Sequence, residues 1–157
     1  MEANMISLLI VDQKDFTTKL FGQDMFDGFE IKEAVFITTF RTEISSDVPE
    51  QNSPVTWETV RPVAYRVLQG SNLPKKFHVV LKLSAANTFK TLESFGIYAE
   101  DKTLPSFFIN IIYEREKLHI VTGCSKPSFT LDRSLDDAWD VTVKKYLRHK
   151  RIDIEAE

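Results

Sequence analysis

Cysteine occurs once in the 157 residues, at Cys124, so no internal disulfide and no multi-cysteine metal site can form. A lone thiol suits a reducing compartment, which makes the cytoplasm the expected location. Long apolar runs are missing as well. The stretch 5–11 is short of the ~20 residues of a membrane span and is broken by Ser7, and Glu2 puts an acid where a signal peptide carries positive charge. No membrane association is expected. Glycine is scarce: five residues are scattered among turns, and neither G-x-G-x-x-G nor G-x-x-x-x-G-K-[ST] occurs. That removes the common phosphate cradles, and no cofactor is expected. Neither sign of charge dominates. The 20 Lys and Arg against 23 Asp and Glu leave a formal net charge of −3, so nucleic acid, which needs a concentrated basic surface, receives no general attraction.

What is present is an ordinary globular balance, 43% hydrophobic and 27% charged. A chain this long buries roughly 70% of its unfolded surface, enough to fold without a staple. The reading is one domain over 1–157, with 152–157 as a frayed tail. Twelve Phe point to a core filled by large aromatics.

The apolar run 7–11 has strand length. Asp12 then offers an N-cap, Phe16, Leu20 and Phe21 fall at helical spacing, and Gly22 closes that helix. Residues 29–44, rich in β-branched and aromatic side chains, predict one or two strands. After the polar loop 45–56, Thr56 caps a brief helix over 57–61 that Pro62 ends. Residues 63–68 and 77–83 read as a β-hairpin around the turn 70–74. Ser84 caps the next helix, whose face carries Phe89, Leu92 and Phe95 and whose stop is Gly96. Strands follow over 106–113, 117–122 and 128–131. The last helix opens on the capping box Ser134, Leu135, Asp136, Asp137 and lines one face with Trp139, Val143, Tyr146 and Leu147. The fold class is therefore α+β, a mainly antiparallel twisted sheet with helices. Its halves echo each other as a tandem of two β-α-β-β-β units.

That element order resembles the half-ring domain of DNA sliding clamps, where paired units carry Lys and Arg on helices that face a duplex. The first helix here instead mixes Asp12, Lys14, Asp15 and Lys19. A closer likeness rests on the stretches 57–62 (WETVRP), 77–84 (FHVVLKLS), 122–125 (TGCS), 129–134 (FTLDRS) and 138–140 (AWD), with Gly70, Leu73 and Pro74 between them. They resemble a family of small uncharacterised bacterial proteins of unknown function. That resemblance implies a natural domain and supplies no catalytic residue.

Chemistry has few places to sit. His78 and His119 lie in strands, where they are able to meet across a sheet, and His149 sits in the last helical turn; none has metal spacing. Cys124 follows Gly123 in a loop beside Lys126, a cation able to lower a thiol pKa, yet no base or oxyanion donor accompanies it. Asp132, Asp136, Asp137 and Asp140 crowd a helix start, where the helix dipole favours acids. No catalytic, cofactor or metal residue is assigned. Trp57 and Arg61 are the residue types of interface hot spots and become the candidate partner-binding pair, with core packing the competing account for the tryptophan. Lys144, Lys145, Arg148, Lys150 and Arg151 form a candidate phosphate-binding edge, although cations also belong at a helix C-terminus for the sake of its dipole. The leading function is a non-catalytic cytoplasmic binding or assembly module with a protein partner. The alternatives are a weak nucleic-acid binder using the basic helix end, and a small enzyme using Cys124 or the strand histidines. Exposed sheet edges admit a homodimer.

Overall fold

Alternation of apolar residues builds the sheet. In β4 (Lys76–Lys82) Phe77, Val79 and Leu81 are buried, and in β5 (Ser106–Glu114) so are Phe107, Ile109 and Ile111. The computed structural model describes residues 6–45, 55–69, 74–98, 100, 104–127 and 133–156. Five further strands complete the sheet: β1 (Ser7–Ile10), β2 (Glu30–Ile37), β3 (Arg41–Ser45), β6 (Lys117–Ser125) and β7 (Ile154–Ala156). They form one open sheet in the order β3-β2-β4-β5-β6-β1-β7, every neighbour antiparallel. Four helices among the described residues join it: α1 (Gln13–Gly22), α2 (Trp57–Gln69), α3 (Ala85–Ser94) and α4 (Ser134–His149). The α+β class is as expected. None of these helices is long and apolar enough to cross a membrane.

All four helices pack on the same face of the sheet. Phe21 of α1 meets Phe36, Phe77 and Trp57, and Trp57 opens α2. Phe107 stacks on Trp139 of α4 with ring centroids 4.7 Å apart, and Phe95 at the end of α3 meets its edge. Phe36, Phe77 and Phe107 belong to one buried cluster, so the helices and one side of the sheet share a single core.

The predicted caps form where their chemistry is local. The Asp12 carboxylate accepts from the Asp15 N–H at 3.0 Å, and the Ser84 hydroxyl accepts from the Asn87 N–H at 3.2 Å. Gly96 ends α3 in the left-handed region at φ 77°. The β5–β6 turn places Arg115 (φ 54°) and Glu116 (φ 64°) in that region too, an arrangement hairpins usually give to Asn-Gly. Gln13 Nε2 pins the turn by donating to the Glu116 carbonyl at 2.8 Å.

Several expectations are corrected. Residues 63–68 are the second half of α2, not a hairpin strand, because Trp57, Val60 and Ala64 are buried at helical spacing and outweigh the β-branched valines. Pro62 lies inside α2 on its exposed side, where the Glu58 carbonyl it leaves without a helical donor faces water. The first half thus runs β-α-β-β-α. Exchanging the halves maps the β2–β3 hairpin onto β5–β6, but β4 lies between β2 and β5 while β1 lies between β6 and β7, so the strand pairings are not equivalent. The supposed tail 152–157 contains β7, and Ile152 is buried. Ser134 is the first helical residue of α4 rather than its cap; the cap position is Arg133, with no side-chain cap bond. Cys124 is in β6, not in a loop. The predicted strand 128–131, most of the 45–56 loop, the turn at Gly70 and Asp132 lie outside the described residues.

Candidate functional site

Trp57 is wholly buried, and its indole N–H donates to the Leu20 carbonyl at 2.9 Å. That carbonyl belongs to the last turn of α1, where no intrahelical donor remains, so the indole acts as a cap supplied from α2. Arg61, one turn on, forks onto Asp27 with Nε–Oδ1 2.9 Å and Nη2–Oδ2 2.8 Å. The pair fastens α2 to the connection between α1 and β2. A side chain with no exposed surface offers nothing to a partner, which corrects the hot-spot expectation for Trp57.

Cys124 has equally little freedom. It is buried, and burial pushes its thiol up to about 12, helped by Asp136 and Asp140 and opposed by Lys126. The lysine expected to activate it is bonded to Asp136, Nζ–Oδ2 2.5 Å. A thiol protonated at neutral pH is a poor nucleophile. We expect a thiol reagent at pH 7 to leave Cys124 unmodified in the native chain and to label it after unfolding; rapid native labelling would reverse this assignment.

Of the acids at the start of α4, Asp136 and Asp140 are buried. The Asp140 carboxylate accepts from the Thr122 hydroxyl at 2.5 Å, and burial raises its pKa above the ordinary 3.8, with the Thr122 bond opposing. Because the folded pKa lies above the unfolded one, this group favours folding only at low pH, and that contribution is lost as pH rises through the folded pKa. Asp140→Asn, whose amide oxygen still accepts from Thr122, should therefore raise Tm at pH 7. Thermal scans should show the gain shrinking to nothing below about pH 4.

The histidines do not meet. His78 and His119 stand opposite Ile112 from either side, two strands apart, or roughly 10 Å. His78 Nε2 lies 3.3 Å from Asn110 Oδ1, and the Asn110 amide donates to the Val121 carbonyl at 3.1 Å. No group of His, Cys, Asp and Glu able to hold a metal occurs among the described residues.

At the basic helix end, Lys144 and Arg148 share one side of α4, Lys145 lies a 100° step away, and Lys150 folds over the Tyr146 ring at 5.6 Å. Arg151 follows the helix at φ 61°. Lys19 of α1 reaches the same place: its ammonium donates to the Lys150 and Arg151 carbonyls at 3.1 and 3.2 Å and to Asp15 at 2.8 Å.

Two grooves open on the helix side. One of about 660 Å³ between α1 and α2 has Phe21, Phe77 and Tyr113 in its floor. On its rim Thr17 and Thr18 donate to the Lys14 carbonyl and Gln13 to the Glu116 carbonyl, and Lys14, Tyr65 and Gln69 also line it. The other, about 470 Å³ between α3 and α4, is lined by Trp139 and Tyr146, whose polar atoms donate to the Phe108 and Met25 carbonyls. Both are lined mainly by apolar surface.

The opposite side of the sheet is different. Its alternate positions form registered rows. One crosses all seven strands as Glu43, Val35, His78, Ile112, His119, Leu9 and Glu155; the next is Ser45, Glu33, Val80, Asn110, Val121 and Ser7. Phe108 lies in the row beyond, with the Lys32 ammonium 4.8 Å from its ring centre. The apolar members are half-buried, none joins the core cluster, and no described helix covers them. Sequence reading missed this face. The signal was strands apolar at both parities, as in Phe107, Phe108, Ile109, Ile111 and Ile112, a pattern of sheets covered on both sides.

A family of unknown function, DUF5721, matches residues 19–155. The chain belongs to that family. The match runs from the second half of α1 to β7 and includes Trp57, Arg61, Cys124 and the basic helix end. No curated protein and no solved structure matches. Membership in DUF5721 carries no assigned activity, so function has to be argued from the geometry above.

Proposed function

We propose that this chain is a non-catalytic binding or assembly module of the cytoplasm, and that a protein docks on the uncovered face of its sheet. The carrying observation is the apolar band on that face: Leu9, Val35, Val80, Phe108, Ile112 and Val121, half-buried with no helix over them among the described residues. Apolar surface gathered in one place favours a partner that removes it from water, at roughly 25 cal/mol per Å² before association costs. A chain with one buried thiol suits the cytoplasm.

A second reading uses the basic helix end as a weak phosphate-binding edge. It is favoured by Lys145, Arg148 and Arg151, whose side chains pair with no acid among the described residues. Cations at a helix C-terminus already serve the helix dipole, so this reading ranks below the first.

Affinity purification of the tagged chain separates the two. The face reading expects a stoichiometric protein retained by the native chain and by Lys145→Gln, and lost from a folded Val80→Lys variant. Copurifying nucleic acid, seen in the absorbance ratio and released by salt, would favour the helix end. Equal retention by the native chain and Val80→Lys would refute the face.

A further inference from the structure

We infer that the partner of the uncovered sheet face is a second copy of this chain, packed face to face about a two-fold axis that runs along β5. The inference rests on the proposed use of that face and adds its occupant.

The first ground is symmetry. β5 is the central strand of seven, and the face matches itself to either side of it. His78 answers His119 across Ile112, and Val35 answers Leu9 further out. In the next row Val80 answers Val121 across Asn110, and at the far end Lys76 answers Lys117 across Glu114. A two-fold contact brings a patch onto itself, so each residue must suit its own counterpart. Turning a copy about an axis along β5 exchanges left for right and keeps each row over its own row. Ile112 and Phe108 then meet their own copies on the axis and Val80 meets Val121 beside it, with His78 over His119 and Asn110 over Asn110 among them. Lys76, Glu114 and Lys117 meet like charges only at one end.

The second ground is size and edge. The five strands inside the edges, each about 4.8 Å wide, and six residues of β5 cover about 24 by 20 Å, roughly 480 Å² in plan before side-chain relief is added. Each partner in a standard stable interface gives about 600–1,000 Å². Twisted sheets packed about 10 Å apart touch along their middles and splay at the corners. Glu43 and Glu155, in the two edge strands, therefore stay hydrated while Ile112 and its neighbours are covered. Association through a sheet edge has less to use: β7 has three residues, and β3 has five with Arg41 and Glu43 on its exposed side. The charges that border the band carry both signs, Lys76 paired with Glu114 at 3.1 Å and Glu30 opposite Lys82, so no single-sign field selects a polyanion.

The test is sedimentation equilibrium of the full chain at rising concentration, with two variants at the axis. The native chain should run at twice 18.1 kDa. Ile112→Asp should run at 18.1 kDa with an unchanged circular dichroism spectrum. In Ile112→Cys the new thiol should link two copies on mild oxidation, since Cys124 is buried and out of reach, whereas Lys145→Cys on the helix side should not link. A native chain that stays monomeric, or a dimer that Ile112→Asp leaves intact and Ile112→Cys fails to link, overturns the second copy. In either case the binding reading is judged separately: it stands if Val80→Lys still loses a copurifying protein of another mass, and falls if it does not.

Discussion

Trp57→Ala is expected to remove about 3–5 kcal/mol of unfolding free energy, near half of what a domain of this kind holds. For a chain of this length that is a fall of about 6–20 °C in Tm. Two effects combine. The indole is fully buried against Phe21, so its removal leaves a cavity beside the rings of Phe36 and Phe77. Its N–H also satisfies the Leu20 carbonyl, which the end of α1 leaves without a helical donor. Trp57→Phe separates them: it keeps most of the ring and loses the bond, and should cost about 1–3 kcal/mol for a buried carbonyl left unpaired. Urea unfolding of both variants checks the split. A Trp57→Ala variant within 1 kcal/mol of the native chain would mean that the side chain is a surface anchor after all, since that is the magnitude expected of exposed positions.

The residues that were legible from sequence are those whose partners are near in the chain. Asp12 and Ser84 announce helix starts because the N–H groups they cap lie three residues on. Gly96 announces a stop because only the left-handed turn needs it. β5 and β6 are long, apolar and joined by a short charged turn, so their pairing is local too. α2 was hidden by Pro62 and by Val63 and Val67, which favour extended backbone. The deciding contacts, Trp57 to Leu20 and Arg61 to Asp27, span 37 and 34 residues. β7 was hidden by its own polarity: Ile154 becomes a strand residue only because Ile10 offers a partner at the sheet edge. The uncovered face is a property of all seven strands at once. Periodicity shows that Phe108 and Ile112 point away from Phe107 and Ile111, but sheet order decides that His78, Ile112 and His119 align and that the four described helices lie on the other side.

Lys126→Met is expected to cost about 3–5 kcal/mol, and pairing it with Asp136→Leu should recover most of that loss. The two side chains are 15% and 5% exposed, with the ammonium 2.5 Å from the carboxylate. Taking the cation away leaves a carboxylate inside the protein, beside Cys124 and near Asp140, without the ion pair that the described residues give it. Removing the carboxylate as well abolishes the unmatched charge, and two apolar side chains of similar length fill the space between the end of β6 and the first turn of α4. The cost of the single change is thus the penalty of an orphaned charge and not the worth of the ion pair. A double-mutant cycle measured by urea unfolding should return a coupling of at least 2 kcal/mol, well above the about 0.5 kcal/mol scatter of independent sites. Additive effects would show that solvent already reaches the pair. Thiol labelling gives an independent reading, because on top of the burial that chiefly raises the Cys124 pKa, Asp136 and Asp140 raise it further and Lys126 lowers it. Lys126→Met alone should make Cys124 still less reactive in the folded chain. Asp136→Leu should move it the other way, provided both variants are shown to remain folded.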